Sequence, residues 1–180
     1  LSPSHFNFKF VIWILDYTNP HSAIPNPQSI MDWHETLLTV RYAETDQMGV
    51  VHHANYLVWL ELGRTEYCKA KGFSYRDMER EDDALMVVAE VYCRYKSPAF
   101  YDDSIVVRTK LEEIRSRTVR FLYEIYRPAD DAILAEGETL HIFTDKGKKV
   151  RTLPDKYREL LAQEFPDADE NAFPANQAPS

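Results

Sequence analysis

After residue 84 the chain runs as extended segments joined by links too short for a crossover, and this limits the fold more than any other feature of the sequence. Residues 84–95, 104–113, 118–127 and 133–144 are each rich in β-branched or aromatic side chains, as strands are. The first two are separated by S-P-A-F-Y-D-D, the second and third by residues 114–117, and the last pair by a link holding P-A-D-D. A parallel neighbour needs a crossover of about a dozen residues or more, so these links allow only antiparallel pairing and exclude a doubly wound sheet. In 118–127 the residues Val119, Phe121, Tyr123 and Ile125 fall on one face. D-K-G-K-K then marks a turn before Val150.

Upstream, residues 36–43 read as a further strand, which enters a polar turn, T-D-Q-M-G, at 45–49. From Asn55, a good N-cap, Tyr56, Leu60, Gly63, Tyr67 and Ala70 recur at steps of four and three, one face of a helix over 55–71 capped by Gly72. Leu57, Val58, Trp59 and Leu62 fill its other faces, so the helix reads as buried, with Gly63 allowing close packing on the sheet. Glu61 and Arg64, three apart, read as a structural ion pair. Residues 73–83 are polar enough for a surface loop or one exposed helical turn, and 154–164 suits a short final helix. The order is α+β: a five-stranded antiparallel sheet wrapped around one long central helix.

A length of 180 residues with 44% hydrophobic content bounds the chain to one domain with a substantial core. That domain is expected over residues 31–165. Residues 1–30 lack periodicity, hold Pro20, Pro25 and Pro27, and read as unstructured, with Met31 as the expected native start. Their apolar run at 10–15 is far below the roughly 20 residues a membrane span needs, and neither a basic start nor a small-residue cleavage site marks a signal peptide. Residues 166–180 read as an acidic flexible tail. The formal charge is −8, with Glu164, Asp167, Asp169 and Glu170 in a terminal segment free of Lys and Arg. This balance argues against nucleic-acid binding, which rests on a basic face. Cys68 and Cys93 form no metal-finger or disulfide pattern and read as reduced core residues, which fits a cytoplasmic protein. The five glycines make no dinucleotide fingerprint, P-loop or nucleophile elbow, and His52 and His53 make no metal pair with His34 or His141. No metal or organic cofactor is expected.

His53, at the start of the helix, stands seven positions after Asp46 in the turn, a spacing at which a carboxylate and an imidazole could face one cleft. The plainer reading is that Asp46 caps its turn and His53 merely begins the helix. Gly49, able to take φ > 0, lets a ligand or another backbone approach closely, beside the apolar step Val50-Val51. Asn55 and Tyr56 either line a pocket or only start the helix.

The stretch T-D-Q-M-G-V-V-H-H-A-N-Y-L-V-W-L-E-L-G-R resembles the signature of hotdog-fold acyl-CoA thioesterases of the 4-hydroxybenzoyl-CoA thioesterase type, including the YbgC-like branch. The similarity extends more loosely through K-S-P-A-F-Y-D-D, A-E-G-E-T and R-T-L-P, covering residues 36–154. It implies a hotdog fold and hydrolysis of acyl-CoA to free acid and coenzyme A. It places Asp46 at the family's loop aspartate and His53 at the residue seven further on, often a histidine in that branch. Asp46 is then either nucleophile, through an acyl anhydride, or the base that activates water. Backbone N–H groups at the helix N-terminus near His53 polarise the thioester carbonyl, and the His53 side chain orients Asp46 or water. Gly49, Val50, Asn55 and Tyr56 are the candidate substrate contacts. Arg115 and Arg117, with Lys146, Lys148, Lys149 and Arg151, are candidates for the coenzyme A phosphates, although charges at turn tips are ordinarily just solvated. The resemblance also implies active sites at subunit interfaces, hence a homodimer or homotetramer. A non-catalytic acyl-CoA-binding module and a dehydratase acting on hydroxyacyl thioesters are the alternatives.

Overall fold

Alternation over the middle strands sets one apolar face against one long helix. A computed structural model describes residues 33–162; the expectations for 1–30, for a start at Met31 and for the tail at 166–180 lie outside them. The described elements are β1 (His34–Thr39), a 3-10 turn (Tyr42–Glu44), α1 (Ala54–Ala70), α2 (Tyr75–Glu81), β2 (Leu85–Tyr95), β3 (Ser104–Ile114), β4 (Thr118–Arg127), β5 (Ala132–Thr144) and α3 (Asp155–Ala162). The five strands form one sheet in the order β1-β3-β4-β5-β2, antiparallel throughout, as the short links require.

The helix and sheet meet where the periods match. On β3, β4 and β5 the buried face carries Val107, Thr109 and Leu111, then Phe121, Tyr123 and Ile125, then Gly137, Thr139 and His141. Register sets Tyr123 between Thr109 and Gly137. Onto this face α1 lays Tyr56, Trp59, Leu60, Gly63, Arg64, Tyr67 and Cys68. A Cβ at Gly63 would stand 2.5 Å from Thr109 Oγ1, and one at Gly137 would stand 2.9 Å from Leu60 Cδ1. Each glycine thus leaves room for a side chain of the opposite element, Thr109 and Val107 of β3 against Gly63 and Leu60 of α1 against Gly137, which lets the helix lie close on the sheet.

Several expectations need correction. β1 ends at Thr39 rather than 43, because Arg41 and Glu44 bond reciprocally and wind the chain into the 3-10 turn. The cap of α1 is His53, not Asn55. Ala70, Leu57, Val58 and Leu62 are exposed, so α1 is covered on one side only; a single sheet cannot wrap all of it. Residues 75–81 form a true helix, since the Ser74 hydroxyl accepts from Asp77 N–H and Met78 is buried. Arg64 is not Glu61's partner: it is buried, and donates to Tyr123 OH at 3.4 Å. Gly72 does end α1, with φ +91° one residue past the C-cap Lys71. Both cysteines are free. Among the described residues no helix is long and apolar enough to cross a membrane.

From Arg64 a polar chain continues through Tyr123 OH, 2.8 Å from Thr139 Oγ1, to His141 Nε2, 2.8 Å further on. Burial, reinforced by the nearby Arg64 charge, pushes His141 down to about 3. Folded His141 thus refuses a proton that the unfolded chain accepts below its ordinary value of 6.5. The sign follows: no contribution changes above pH 6.5, and stability falls as pH drops from there toward 3. We expect the melting temperature to fall from pH 7 to pH 5, and His141→Gln to flatten that slope. Equal slopes in the two proteins would contradict it.

Candidate active site

The loop between β1 and α1 is built as a short hairpin. Thr45 and Val51 form an antiparallel bridge, Asp46 N–H donates to Val50 O at 2.8 Å, and Gly49 N–H donates to Asp46 O at 2.9 Å. Closing so tight a turn needs φ > 0, which Gly49 supplies at +78°. The hairpin is sewn to the β2–β3 link: Val50 bridges Phe100, and Val51 N–H donates to Ala99 O at 2.9 Å. Arg127, bonded to Asp103, Asp130 and Pro98 O, braces that link from the far side.

Asp46 is half-buried, and its Oδ1 accepts from Met48 N–H at 2.8 Å, so the turn-capping role is present. Its Oδ2 accepts no hydrogen bond from the described residues. One oxygen orients the carboxylate and the other is open to a substrate or a water. His53 follows directly on the rung where His52 N–H donates to Glu44 O, 2.9 Å. Its ring is exposed, tilted against His52 at 4.2 Å between centroids, with Tyr95 edge-on at 6.5 Å. The His53 carbonyl is taken by Tyr95 OH at 3.1 Å and by Tyr56 N–H at 3.3 Å, but its own N–H has no acceptor among the described residues. An unfilled amide at the head of a 17-residue helix is the kind of donor that stabilises a developing oxyanion.

The other candidates divide. Gly49 and Val50 lie on the hairpin beside Asp46. Asn55 is spent on structure, its Nδ2 donating to Glu44 O at 2.7 Å. Tyr56 is buried; its hydroxyl accepts from Ala99 N–H at 3.2 Å and its ring lies between Trp59 and Tyr95. Arg115 and Arg117 flank the β3–β4 turn, and Lys146 and Lys148 the turn after β5. Phe143 N–H to Arg117 O and Leu153 N–H to Ser116 O bring these turns together. Within one chain they stand at the far end of the sheet from Asp46, with the 11 residues of β3, roughly 36 Å at about 3.3 Å per residue, running from one end to the other.

Sequence reasoning missed Glu44 and Tyr95. Glu44 carried a signal in its spacing of three from Arg41, a reciprocal cap. Tyr95 carried none, since only the sheet order brings it beside His53. No group of three or more His, Cys, Asp or Glu among the described residues is placed to hold a metal ion.

Comparison with known proteins agrees with this architecture. Residues 40–169 match the model of the thioesterase-like superfamily. YneP of Bacillus subtilis is 44% identical over 109 residues, 61% of this chain and 78% of that protein. The acyl-CoA thioester hydrolase YbgC of Escherichia coli is 34% identical over 64% of this chain and 85% of its own length. Among solved structures, a DHNA-CoA thioesterase from Staphylococcus aureus superposes with a TM-score of 0.69 at 30% identity, covering 73% of this chain and 89% of the other. With a five-stranded sheet, a central helix and a family match spanning well over half its length, the chain belongs to the thioesterase-like superfamily and has the hotdog fold.

Proposed function

We infer that this thioesterase hydrolyses acyl-CoA to free acid and coenzyme A at the head of α1. The observation that carries the reading is an open carboxylate oxygen on Asp46 in the hairpin and an unfilled amide on His53 at the head of the helix that follows it. The thioester carbonyl oxygen docks on the His53 N–H, and loss of such a donor typically costs about 2.7 to 4 kcal/mol of transition-state stabilisation. Asp46 then attacks the carbonyl carbon or takes a proton from the attacking water. The leaving thiolate, whose parent thiol has a pKa of roughly 8.5 by analogy with cysteine, needs little acid assistance, which leaves the His53 ring to orient Asp46 or water. Incubation with a panel of short, long and aromatic acyl-CoAs should release free thiol and free acid in equal amounts. Binding without thiol release would instead mark a binding module, and formation of an enoyl thioester from a hydroxyacyl thioester would mark a dehydratase.

The working unit in this reading is a homodimer or larger. β2 is an outer strand whose second edge pairs with no strand among the described residues, and Val87, Val88, Val91, Tyr92 and Tyr95 on it are exposed, as are Leu57, Val58 and Leu62 on α1. Antiparallel pairing of two β2 edges would set the Leu85 end of one copy against the Tyr95 end of the other. Leu85 pairs with Thr144, so the partner's turn after β5 would come alongside this site, and Lys146 and Lys148 would reach the coenzyme A phosphates from there. The protein should elute as a dimer or larger at micromolar concentration. A fully active monomer would contradict this.

A further inference from the structure

Glu44, two residues before Asp46, is a buried carboxylate, 4% exposed, that no step of the proposed chemistry uses. Its Oε2 accepts from Arg41 N–H at 2.7 Å; its Oε1 accepts from Arg41 Nη2 at 2.9 Å and from the Trp59 indole N–H at 3.0 Å. Its carbonyl oxygen accepts from His52 N–H at 2.9 Å and from Asn55 Nδ2 at 2.7 Å. Burial raises its carboxyl, but the bonds from Arg41 and Trp59 more than offset this and hold it below its ordinary value, so it is charged.

These five contacts join the two halves of the site. The carbonyl holds His52, and thereby fixes the next amide, that of His53, in the direction it points. Through Asn55 and Trp59 the same residue grips α1 at its second residue and one turn further on. Through its own chain continuity it fixes where Thr45 and Asp46 leave the 3-10 turn. Resting on the reading of Asp46 and His53 given above, we propose that Glu44 is the positioning residue of this site, setting the Asp46 carboxylate against the His53 amide by binding the hairpin to α1.

A charged carboxylate suits all three donors. Glutamine does not, because its amide nitrogen would face a donor of Arg41 or Trp59. Displacing a reacting group by about 1 Å costs up to about 10²-fold in rate, so Glu44→Gln should lower kcat by at least about 10-fold while KM moves by less than about twofold. Glu44→Gln keeps the backbone carbonyl that fixes the His53 amide and disturbs only the side-chain contacts, so its effect reaches the reaction through Asp46 and should vanish where Asp46 no longer acts. In the Asp46→Asn background, Glu44→Gln should change residual kcat by less than about twofold, although it lowers the melting temperature equally in both backgrounds. Trp59→Phe keeps the ring and removes only the indole N–H; it carries the same cycle, with a smaller loss, should Glu44→Gln fail to fold.

Equal losses of kcat in both backgrounds would reduce Glu44 to a stabilising residue and overturn the inference. So would an unchanged kcat in Glu44→Gln, or in Trp59→Phe where that variant stands in. If Asp46→Asn alone retains wild-type turnover, the reading of Asp46 itself has failed and the positioning role falls with it. A collapsed Asp46→Asn beside an unimpaired Glu44→Gln would sink the positioning role alone.

Discussion

Asp46→Asn should fold normally and turn over acyl-CoA at least about 10²-fold more slowly, the scale on which lost acid-base catalysis is felt. The turn survives the substitution because the asparagine carbonyl can accept the Met48 N–H that Oδ1 accepts now, and asparagine caps turns about as well as aspartate. What is lost is the negative charge on the open oxygen, which both the nucleophilic and the general-base routes use. The melting temperature should therefore move by only a few degrees. Binding of acyl-CoA should largely persist, so the loss belongs to kcat rather than KM. If Asp46 were only a turn cap, stability and turnover would both be almost unchanged. That pattern would shift the reading toward a binding module.

Gly63→Val should be the most damaging single change to the fold among those considered. Even the first carbon of a side chain there would lie 2.5 Å from Thr109 Oγ1 and 2.7 Å from Val107 Cγ1, both on β3 in the interior of the sheet. Overpacking of this kind typically costs about 1–3 kcal/mol, and a β-branched residue places two further methyls in the same gap. The helix must then lift from the sheet, so the loss should reach about 3 kcal/mol, a fall of roughly 10 °C in melting temperature. Gly63→Ala should cost less, because alanine regains about 1 kcal/mol of helix propensity. Thermal melts of the two variants check the order. A Gly63→Val protein as stable as wild type would show that α1 does not approach β3 as closely as described.

Sequence periodicity made most of the fold legible. The strand expected at 118–127 coincides with β4, because turns on both sides and strict alternation of Val119, Phe121, Tyr123 and Ile125 leave no other register. The apolar face of α1 was equally plain in Tyr56, Leu60, Gly63 and Tyr67. What periodicity does not carry is the identity of the covering layer. Leu57, Val58 and Leu62 read as buried, yet one sheet reaches only one side of the helix, and they are exposed in the single chain. Arg64 looked like a surface partner of Glu61 because spacing on a helix ignores what lies beneath; the sheet offers it Tyr123 instead. Polar composition left the helix at Tyr75–Glu81 as either a surface loop or one exposed turn, although Ser74 and Asp77 form its cap and the buried Met78 anchors it.

The candidate site was legible in part for the same reason. Asp46, Gly49 and His53 lie within one short stretch, and local turn chemistry places them. Glu44 passed unnoticed because its contacts are with Trp59, fifteen residues on, and Asn55, both brought to it by the fold. The basic turns at 115–117 and 146–148 were visible as charge, but which end of the sheet they occupy depends on strand order, which composition does not encode.

The most direct test is a crystal structure of Asp46→Asn soaked with an unhydrolysed acyl-CoA. The account predicts the thioester carbonyl oxygen about 2.7–3.1 Å from the His53 backbone nitrogen, and the carbonyl carbon within about 3.5 Å of the side chain at position 46. A thioester lying away from the head of α1, with the His53 N–H turned to solvent, would contradict it.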